Sequence, residues 1–348
     1  MYARGRLGQQ MLIILALMLL AVLIVSTSVG PMQILWQDSF KILLRLGSAS
    51  DGSHVDSIIT SIRLPRALLG MLVGAALGAS GAAIQGLFRN PLADPGLIGV
   101  SGGAALAAVT VIVLGGTALG PLINWMGPYS LMLAAFAGGF ITTLLVAHIA
   151  SSRTGGTSTS TLLLVGIAIN IITGAGIGIF TYMADDTQLR TLTFWSMGSL
   201  GGALWEVVLS AGSLIIIVLL LLPTLARPLN ALLLGESEAR HLGIDVDRVK
   251  RRIMLLSALA VGASVAATGM IGFVGLVVPH LVRLTLGPDH RYLLPASALL
   301  GGLFLLVADM LARTLIAPAE LPIGLLTSII GGPFFIALII AQGRRYAV

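Results

Sequence analysis

Apolar runs long enough to cross a lipid bilayer recur along this sequence, with short polar segments between them. Hydrocarbon offers no hydrogen-bonding partners to the backbone, so only helices or closed β-barrels can cross it. Barrel strands are short and alternate polar with apolar residues, a pattern that these continuous runs lack. Charged residues make up 10% of the chain, compared with roughly 25% in soluble proteins. The sequence therefore predicts an all-α, polytopic membrane protein, folded as one transmembrane domain over residues 1–348.

The runs divide into about ten spans, the first over residues 11–29 and the last ending near residue 345. With both termini in the cytoplasm, most of the 20 Lys and Arg residues fall on inner segments, as the positive-inside rule requires. The basic residues that fall outside in this arrangement are Lys41, Arg45, Arg63, Arg66, Arg190 and Arg313. The charge asymmetry thus gives the predicted orientation.

Glycines mark one face of the second predicted span. Gly70, Gly74 and Gly78 are spaced four residues apart. This small-xxx-small pattern allows two helices to approach closely in lipid, and we expect a tight helix contact there.

The longest polar interruption covers residues 227–252, on the predicted cytoplasmic side. Residues 229–234 are typical of a short helix stopped by Gly235, and residues 236–242 of a second helix ended by Gly243. Two compact helices between membrane spans would offer a surface that a cytoplasmic partner could grip. A solvated loop whose basic residues only set the topology explains the polarity equally well.

Cysteine and the lysine of a nucleotide-binding loop, which carry common chemistries, are absent from this sequence. The chain has no cysteine, which excludes disulfides, thiolate metal sites and cysteine nucleophiles. Its lysines, Lys41 and Lys250, do not follow a glycine, so the G-K-[ST] signature of a nucleotide-binding loop is absent from the sequence. We therefore predict no enzyme activity, and uphill transport would need a separate ATPase.

The histidines do not show the spacing of metal ligands. His54 and His290 are loop residues, His148 ends a span, and His280 follows Pro279 within a span, where a structural role fits better than haem ligation. A haem-containing electron carrier would need paired histidines on facing helices, which these positions do not supply. We assign no catalytic, cofactor-binding or metal-binding residue.

Four long motifs follow one another along the chain. They read RLPRALLGMLVGAALGASGAAIQGLFRNPLADPGLIGVSGGA (residues 63–104), LLLGESEARHLGI (232–244), GMIGFVGLVVPHLVRLTLGPDHR (269–291) and LPIGLLTSIIGGPFFIALI (321–339). These motifs resemble the permease subunits of ABC importers for iron chelates, haem and cobalamin, and the resemblance covers nearly the whole chain.

The resemblance implies about ten helices per subunit and a homodimer with a central pathway between the copies. It also implies two cytoplasmic ABC ATPase subunits, which hold ATP and Mg, and a periplasmic substrate-binding protein. This chain itself would bind no cofactor and no nucleic acid, and it would lie in the bacterial inner membrane as a multi-pass protein.

In the family, the polar stretch corresponds to cytoplasmic coupling helices, at about residues 227–250 here. The residues assigned to ATPase coupling are Glu236, Glu238, Ala239, Arg240, Leu242 and Gly243. Ala239 and Leu242 are three residues apart, so we expect them to share a face that inserts into a cleft of the ATPase. The charged members would form a polar rim around it.

Arg63, Arg66 and Arg313 lie at the outer ends of spans, where the resemblance implies docking to glutamates of the binding protein. A guanidinium suits this role because it pairs with a carboxylate through two hydrogen bonds. Arginines that snorkel to the interface are the alternative. Asp309 is costly in hydrocarbon, and we predict that it pairs with Arg313, one helical turn away.

Asn170, Gly174 and Gly178 lie on the fifth span, which lines the conduit in the family. They are either pathway residues or helix-packing residues, and the sequence leaves both roles open. A conduit for a bulky chelate should bind it weakly, so specificity would reside mostly in the binding protein.

The stretch ADDTQLRTLTFWSMGSLGGALW (residues 184–205) looks more like haem permeases than the others, so we expect haem as the cargo. A ferric siderophore or cobalamin is the alternative within the family. An ion-coupled secondary transporter or a channel is the alternative of another class. It would need ion sites inside the membrane, where Asp309 is the only acid near mid-span.

Overall fold

The structure is a computed structural model that describes residues 2–32, 34–43, 53–117, 119–152 and 156–346. The described chain is almost entirely helical. Its helices are α1 Tyr2–Ser28, α2 Trp36–Leu43, α3 Ser53–Ile58, α4 Leu64–Phe88, α5 Val100–Leu114, α6 Gly120–Met126, α7 Ser130–Ala150, α8 Thr159–Met183, α9 Asp186–Ser196, α10 Trp205–Leu221, α11 Ala226–Leu232, α12 Glu236–His241, α13 Val246–Thr268, α14 Val274–Leu286, α15 His290–Thr314 and α16 Ile323–Tyr346. Between α7 and α8, strand β1 (Ser151–Ser152) pairs antiparallel with strand β2 (Gly156–Thr157).

Among the described residues, eight helical segments are long and apolar enough to cross a membrane. They are Gly5–Ser28, His54–Phe88, Gly120–Ala150, Thr159–Met183, Trp205–Leu232, Val246–Thr268, His290–Thr314 and Ile323–Ile340. The shorter apolar helices α5 and α14 bring the set to the predicted ten. The expected fold class, an all-α polytopic membrane protein, is confirmed.

Helix α4 lies at the centre of the fold. In its most apolar stretch 83% of the residues are buried, compared with 17% in α8. A Cβ placed on Gly74 would lie 2.2 Å from the main-chain oxygen of Gly301 on α15, and one on Gly78 would lie 2.2 Å from that of Ser297. The backbones of α4 and α15 therefore touch, which confirms the close contact that the glycine spacing predicts.

The connection from α4 to α5 folds back into the helical layer. Helix α4 is terminated by the residue after it, Arg89, which adopts a left-handed conformation with φ of 47°. The chain then forms the 3₁₀ turn Pro95–Ile98, which we call the re-entrant turn. Asp94 caps it by accepting a hydrogen bond from the amide of Gly96 at 2.7 Å. Capping satisfies a backbone donor that has no partner inside the turn.

Two short helices consequently start level with the middle of α4. Gly275, at the start of α14, packs against the 3₁₀ turn and against the main-chain oxygen of Leu77 on α4. The main-chain oxygen of Leu97 lies 1.8 Å from where a Cβ on Gly166 of α8 would sit. Irregular backbone is tolerated at such depth only where protein surrounds it. Because α5 and α14 begin part-way through the layer, they need only 15 and 13 residues.

Filling the α4–α15 contact should destabilise the protein. Gly78→Leu would force a side chain into the backbone of Ser297, and overpacking of this kind costs about 1–3 kcal/mol. We expect a lower midpoint in thermal unfolding of the detergent-solubilised protein. Gly116→Leu is the matched control, because nothing lies within 4 Å of a Cβ at that position. Equal midpoints for the two variants would contradict the packing described for α4.

Candidate functional site

The two short helices predicted in the polar stretch are present as α11 and α12. Gly235 separates them with φ of 126°, and Gly243 follows α12 with φ of 80°. Both values lie in a region that side chains other than hydrogen disfavour, so these glycines set the breaks. Asp245 then caps α13 by accepting from the amide of Arg248 at 2.9 Å. The stretch is a folded surface and not a loose loop.

The structure corrects one expectation about this surface. Ala239 is fully buried against its own chain, whereas Leu242 is 64% exposed, so the two do not share an exposed face. Residues three apart on a helix differ by about 60° in direction, and the core covers Ala239 but not Leu242. Ala239 therefore contributes to the core.

Leucines supply the apolar part of this surface instead. Leu234 and Leu242 are 68% and 64% exposed, and Leu233 is 40% exposed. All three follow the Trp205–Leu232 span in the chain, within the polar stretch at residues 227–252. Exposed apolar groups rimmed by polar ones are typical of a protein–protein contact.

Glu236, the first residue of α12, points inward and not toward a rim. Its carboxylate accepts hydrogen bonds from the hydroxyl of Thr159 at the start of α8 and from Nζ of Lys250 on α13, the latter at 2.7 Å. Lys250 is only 1% exposed. We call Thr159, Glu236 and Lys250 the Glu236 cluster. Sequence reasoning missed it because its members are far apart in the chain.

The charge state of Glu236 follows from these contacts. Partial burial acts to raise the pKa of its carboxyl group, but hydrogen bonds from Lys250 and Thr159 and the charges of Lys250 and Arg89 outweigh burial. The pKa of Glu236 is therefore lowered from its ordinary value, and the carboxylate is ionised at neutral pH. At the other end of α12, Arg240 and Asp247 form a more exposed ion pair at 3.0 Å.

The three predicted docking arginines are buried and already have partners. Arg63 donates to the main-chain oxygens of Thr27 and Ser28, at 2.9 and 2.7 Å, and also to that of Met32. Arg313 donates to the main-chain oxygens of Val29 and Ser26 at 3.1 and 3.2 Å. The last carbonyls of a helix have no hydrogen-bond donor within the helix, and here the two guanidinium groups donate to them.

Arg66 belongs to an outer charge cluster, which consists of Arg66, Asp309, Arg313 and Glu320. Arg66 contacts Asp309 at 2.9 Å and both carboxylate oxygens of Glu320 at 2.9 Å. Nε of Arg313 lies 3.0 Å from Oδ2 of Asp309, which confirms the predicted pair. This contact is electrostatic, because the Nε hydrogen points to the main-chain oxygen of Asp309.

The docking role of these arginines stays a prediction. A carboxylate of a binding protein would have to replace a carbonyl or carboxylate that each guanidinium already contacts. The pairing of Arg66 with Glu320 was not evident in the sequence. These two residues are far apart in the chain, and Glu320 lies in a short segment between α15 and α16.

The residues predicted for the pathway divide into two groups. The amide of Asn170 donates to the main-chain oxygen of Gly96 at 3.0 Å, so it holds the re-entrant turn against α8. Gly174 and Gly178 are exposed, with nothing within 4 Å of a Cβ at either position. The glycines leave an open strip on α8, which a pathway or a second copy of the chain could use.

A cavity of about 540 Å³ lies between the re-entrant turn, α4 and the adjoining ends of α9, α13, α14 and α16. Its polar lining includes Asp94, Ser101, Ser196 and Ser328, and its apolar walls include Met197, Val265, Met270, Phe273, Leu276 and Leu325. Such a space can accept an apolar body that carries a few hydrogen-bonding groups.

Asp94 was missed at the sequence level because an Asp that precedes Pro-Gly is typical of an ordinary turn. Within the described residues, no three His, Asp or Glu side chains lie close enough together to hold a metal ion. The ring of His280 contacts Phe334 edge-on, with centroids 6.0 Å apart.

Comparison with known proteins places this geometry in a family. The model of the FecCD transport family matches residues 17–341. The chain belongs to the FecCD transport family. The hemin transport system permease protein HmuU of Yersinia pestis is 48% identical over 342 residues, which are 98% of each chain. The vitamin B12 import system permease protein BtuC of Escherichia coli O127:H6 is 41% identical over 333 residues, covering 96% of this chain and 95% of that one.

A solved structure, described as an inward-facing conformation of a metal-chelate type ABC transporter, superposes with a TM-score of 0.80. It is 32% identical and covers 96% of this chain and 99% of its own. This FecCD-family chain is therefore the permease of an ABC importer for an iron chelate, haem or cobalamin. It is an inner-membrane transport component and not an enzyme, and it works with ATPase and substrate-binding partners.

The outer charge cluster should stabilise the isolated permease. Arg66→Leu leaves Asp309 and Glu320 without their shared partner, and removal of one member of a buried ion pair costs about 3–5 kcal/mol. We expect a lower thermal midpoint in the absence of any binding protein. Arg190→Leu, which removes an exposed arginine from α9, serves as the control. An unchanged midpoint combined with lost binding-protein association would instead favour docking as the main role.

Proposed function

We propose that this protein is the membrane subunit of a homodimeric ABC importer that moves haem across the bacterial inner membrane. The observation that carries this proposal is the 48% identity to a hemin permease over 98% of both chains. Cobalamin is the second candidate cargo, because a cobalamin permease from Halobacterium salinarum is 45% identical over 81% of this chain.

The uncovered face of α8 supports the homodimer. Only 17% of its most apolar stretch is buried, and Gly174 and Gly178 leave an open strip along it. Small residues allow close approach of helices in lipid. A second copy facing this strip would enclose a pathway between the two α8 helices, with the Asp94 cavity of each subunit as a branch that can hold part of an apolar chelate.

The exposed leucines support ATPase contact at residues 227–250. The chain has no nucleotide-binding loop of its own. Leu234 and Leu242 offer an apolar contact on the predicted cytoplasmic side, and the exposed charged residues Glu238 and Arg240 would fix the register of the partner. On the opposite side, a binding protein would dock near Arg63, Arg66 and Arg313. One of its carboxylates would then replace Glu320 as a partner of Arg66.

The cargo can be tested by reconstitution. The permease, its ATPase and its binding protein would be placed in liposomes, and ATP-dependent uptake of haem, cobalamin and a ferric siderophore would be compared. We expect saturable uptake of haem and little of the other two, because each cargo must fit the same binding protein and conduit. Replacement of ATP by a non-hydrolysable analogue is the control. Preferential uptake of cobalamin would transfer the assignment to the second candidate.

The coupling surface can be tested at Leu242. Leu242→Asp puts a charge where the ATPase should bury an apolar side chain, and loss of such a contact costs about 2 kcal/mol or more. We expect weaker co-purification of ATPase and slower haem uptake. Arg248→Ala, an exposed position on the same surface, should leave both unchanged. Normal co-purification with Leu242→Asp would place the ATPase contact elsewhere.

A further inference from the structure

The N-terminal residue of α12 connects this helix to other parts of the membrane domain. Glu236 accepts hydrogen bonds from Thr159, the first residue of α8, and from Lys250 on α13. Arg89, at the end of α4, places its guanidinium close by, with Nη1 3.9 Å from where a Cβ on Gly235 would sit. The ends of α4, α8 and α13 therefore converge on one carboxylate.

We propose that the Glu236 cluster transmits movement of α12 to α8, with Glu236 as the positioning residue and the Thr159 hydroxyl as the link to α8. This inference rests on the proposed function, because it takes the ATPase to act on α12. The role differs from that of a contact residue, since Glu236 faces its own chain and does not need to touch the ATPase.

The chemistry of the cluster suits a stiff connection. Helix α12 has six residues, and a helix this short has little stability of its own, so tertiary contacts must hold it in place. Lys250 is almost fully buried. The hydrogen bonds that Glu236 accepts keep the Glu236 carboxylate ionised. Hydrogen bonds to an ionised group are shorter and stronger than neutral ones. Displacement of α12 would therefore pull on its partners before these bonds break.

Burial decides which partner moves. Helix α4 is locked by backbone contact with α15, and 83% of its apolar stretch is buried. Helix α8 has 25 residues and only 17% of its most apolar stretch is buried within its own subunit, so its own chain holds it less firmly than α4. A displacement that enters at Glu236 is consequently expressed in α8, where Gly174 and Gly178 lie further along the same helix.

An exposed pair at the start of α13 provides a matched comparison. Arg248 on α13 lies 3.3 Å from Asp245, the residue that precedes this helix. If the Glu236 cluster only stabilised the coupling surface, the loss of either connection would have a similar effect. If it transmits movement, only the loss of the Thr159 link should separate ATP hydrolysis from transport.

The test uses Thr159→Val, which keeps the shape of the side chain and removes its hydroxyl. The complete transporter, with ATPase, binding protein and haem, would be reconstituted in liposomes. We expect normal co-purification and normal ATP hydrolysis, with haem uptake per ATP reduced about tenfold, as a lost hydrogen bond to a charged group would give. Thr159→Ser should restore uptake, and Arg248→Gln, which removes an exposed ion pair outside the Glu236 cluster, should leave it unchanged.

A second measurement follows α8 directly. The chain has no cysteine, so Tyr182→Cys, at an exposed position near the far end of α8, introduces a single site for a spin label. In the otherwise unchanged protein, the distance between the labels of the two copies should respond to ATP. In Thr159→Val this response should be lost, although nucleotide still binds to the ATPase.

Three results would overturn the inference. They are normal uptake and a normal distance response in Thr159→Val, failure of Thr159→Ser to restore uptake, and loss of ATPase association in Thr159→Val. The last would show that the cluster only builds the coupling surface. Failure of the unmodified permease to bind an ATPase would count against the proposed function itself and is therefore distinguishable from these outcomes.

Discussion

Gly74, Gly78 and Gly81 let α4 approach its neighbours until main-chain atoms are in contact. The first two face α15, and the third faces the start of α14, where a Cβ would lie 1.9 Å from the main-chain oxygen of Gly275. In lipid, where apolar burial between helices gains little over contact with acyl chains, such close packing is a main source of association. The rest of the bundle, including the re-entrant turn, is built against this fixed centre.

Charge is handled differently at the two ends of the bundle. At the predicted outer end, buried arginines donate hydrogen bonds to the carbonyls at the end of α1 and neutralise Asp309. These contacts fix α1, α4 and α15 relative to one another. At the predicted inner end, the Glu236 cluster joins a short surface helix to α8 and α13. The outer end is thereby rigid. At the inner end, the Glu236 cluster firmly connects α12 to α8, a helix of which little is buried within its own subunit.

The sequence predicted those features that local periodicity and spacing encode. Span number, the glycine face of α4, the breaks at Gly235 and Gly243 and the Asp309–Arg313 pair all depend on residues close together in the chain. Features that need the tertiary arrangement could not be predicted. The burial of Ala239 depends on which face of α12 lies on the core, and Thr159 and Lys250 meet Glu236 only once α8, α12 and α13 have packed together.

The re-entrant turn bears on the order in which the chain can assemble. Pro95 and Leu97 are held by Gly275 and Gly166, and both of these partners are synthesised later than the turn itself. Helix α5, with 15 residues, is also shorter than the roughly 20 that a lone spanning helix needs. We therefore expect the turn and α5 to reach their final depth only after α8 and α14 have entered the bilayer, with this early segment held near the membrane surface until then.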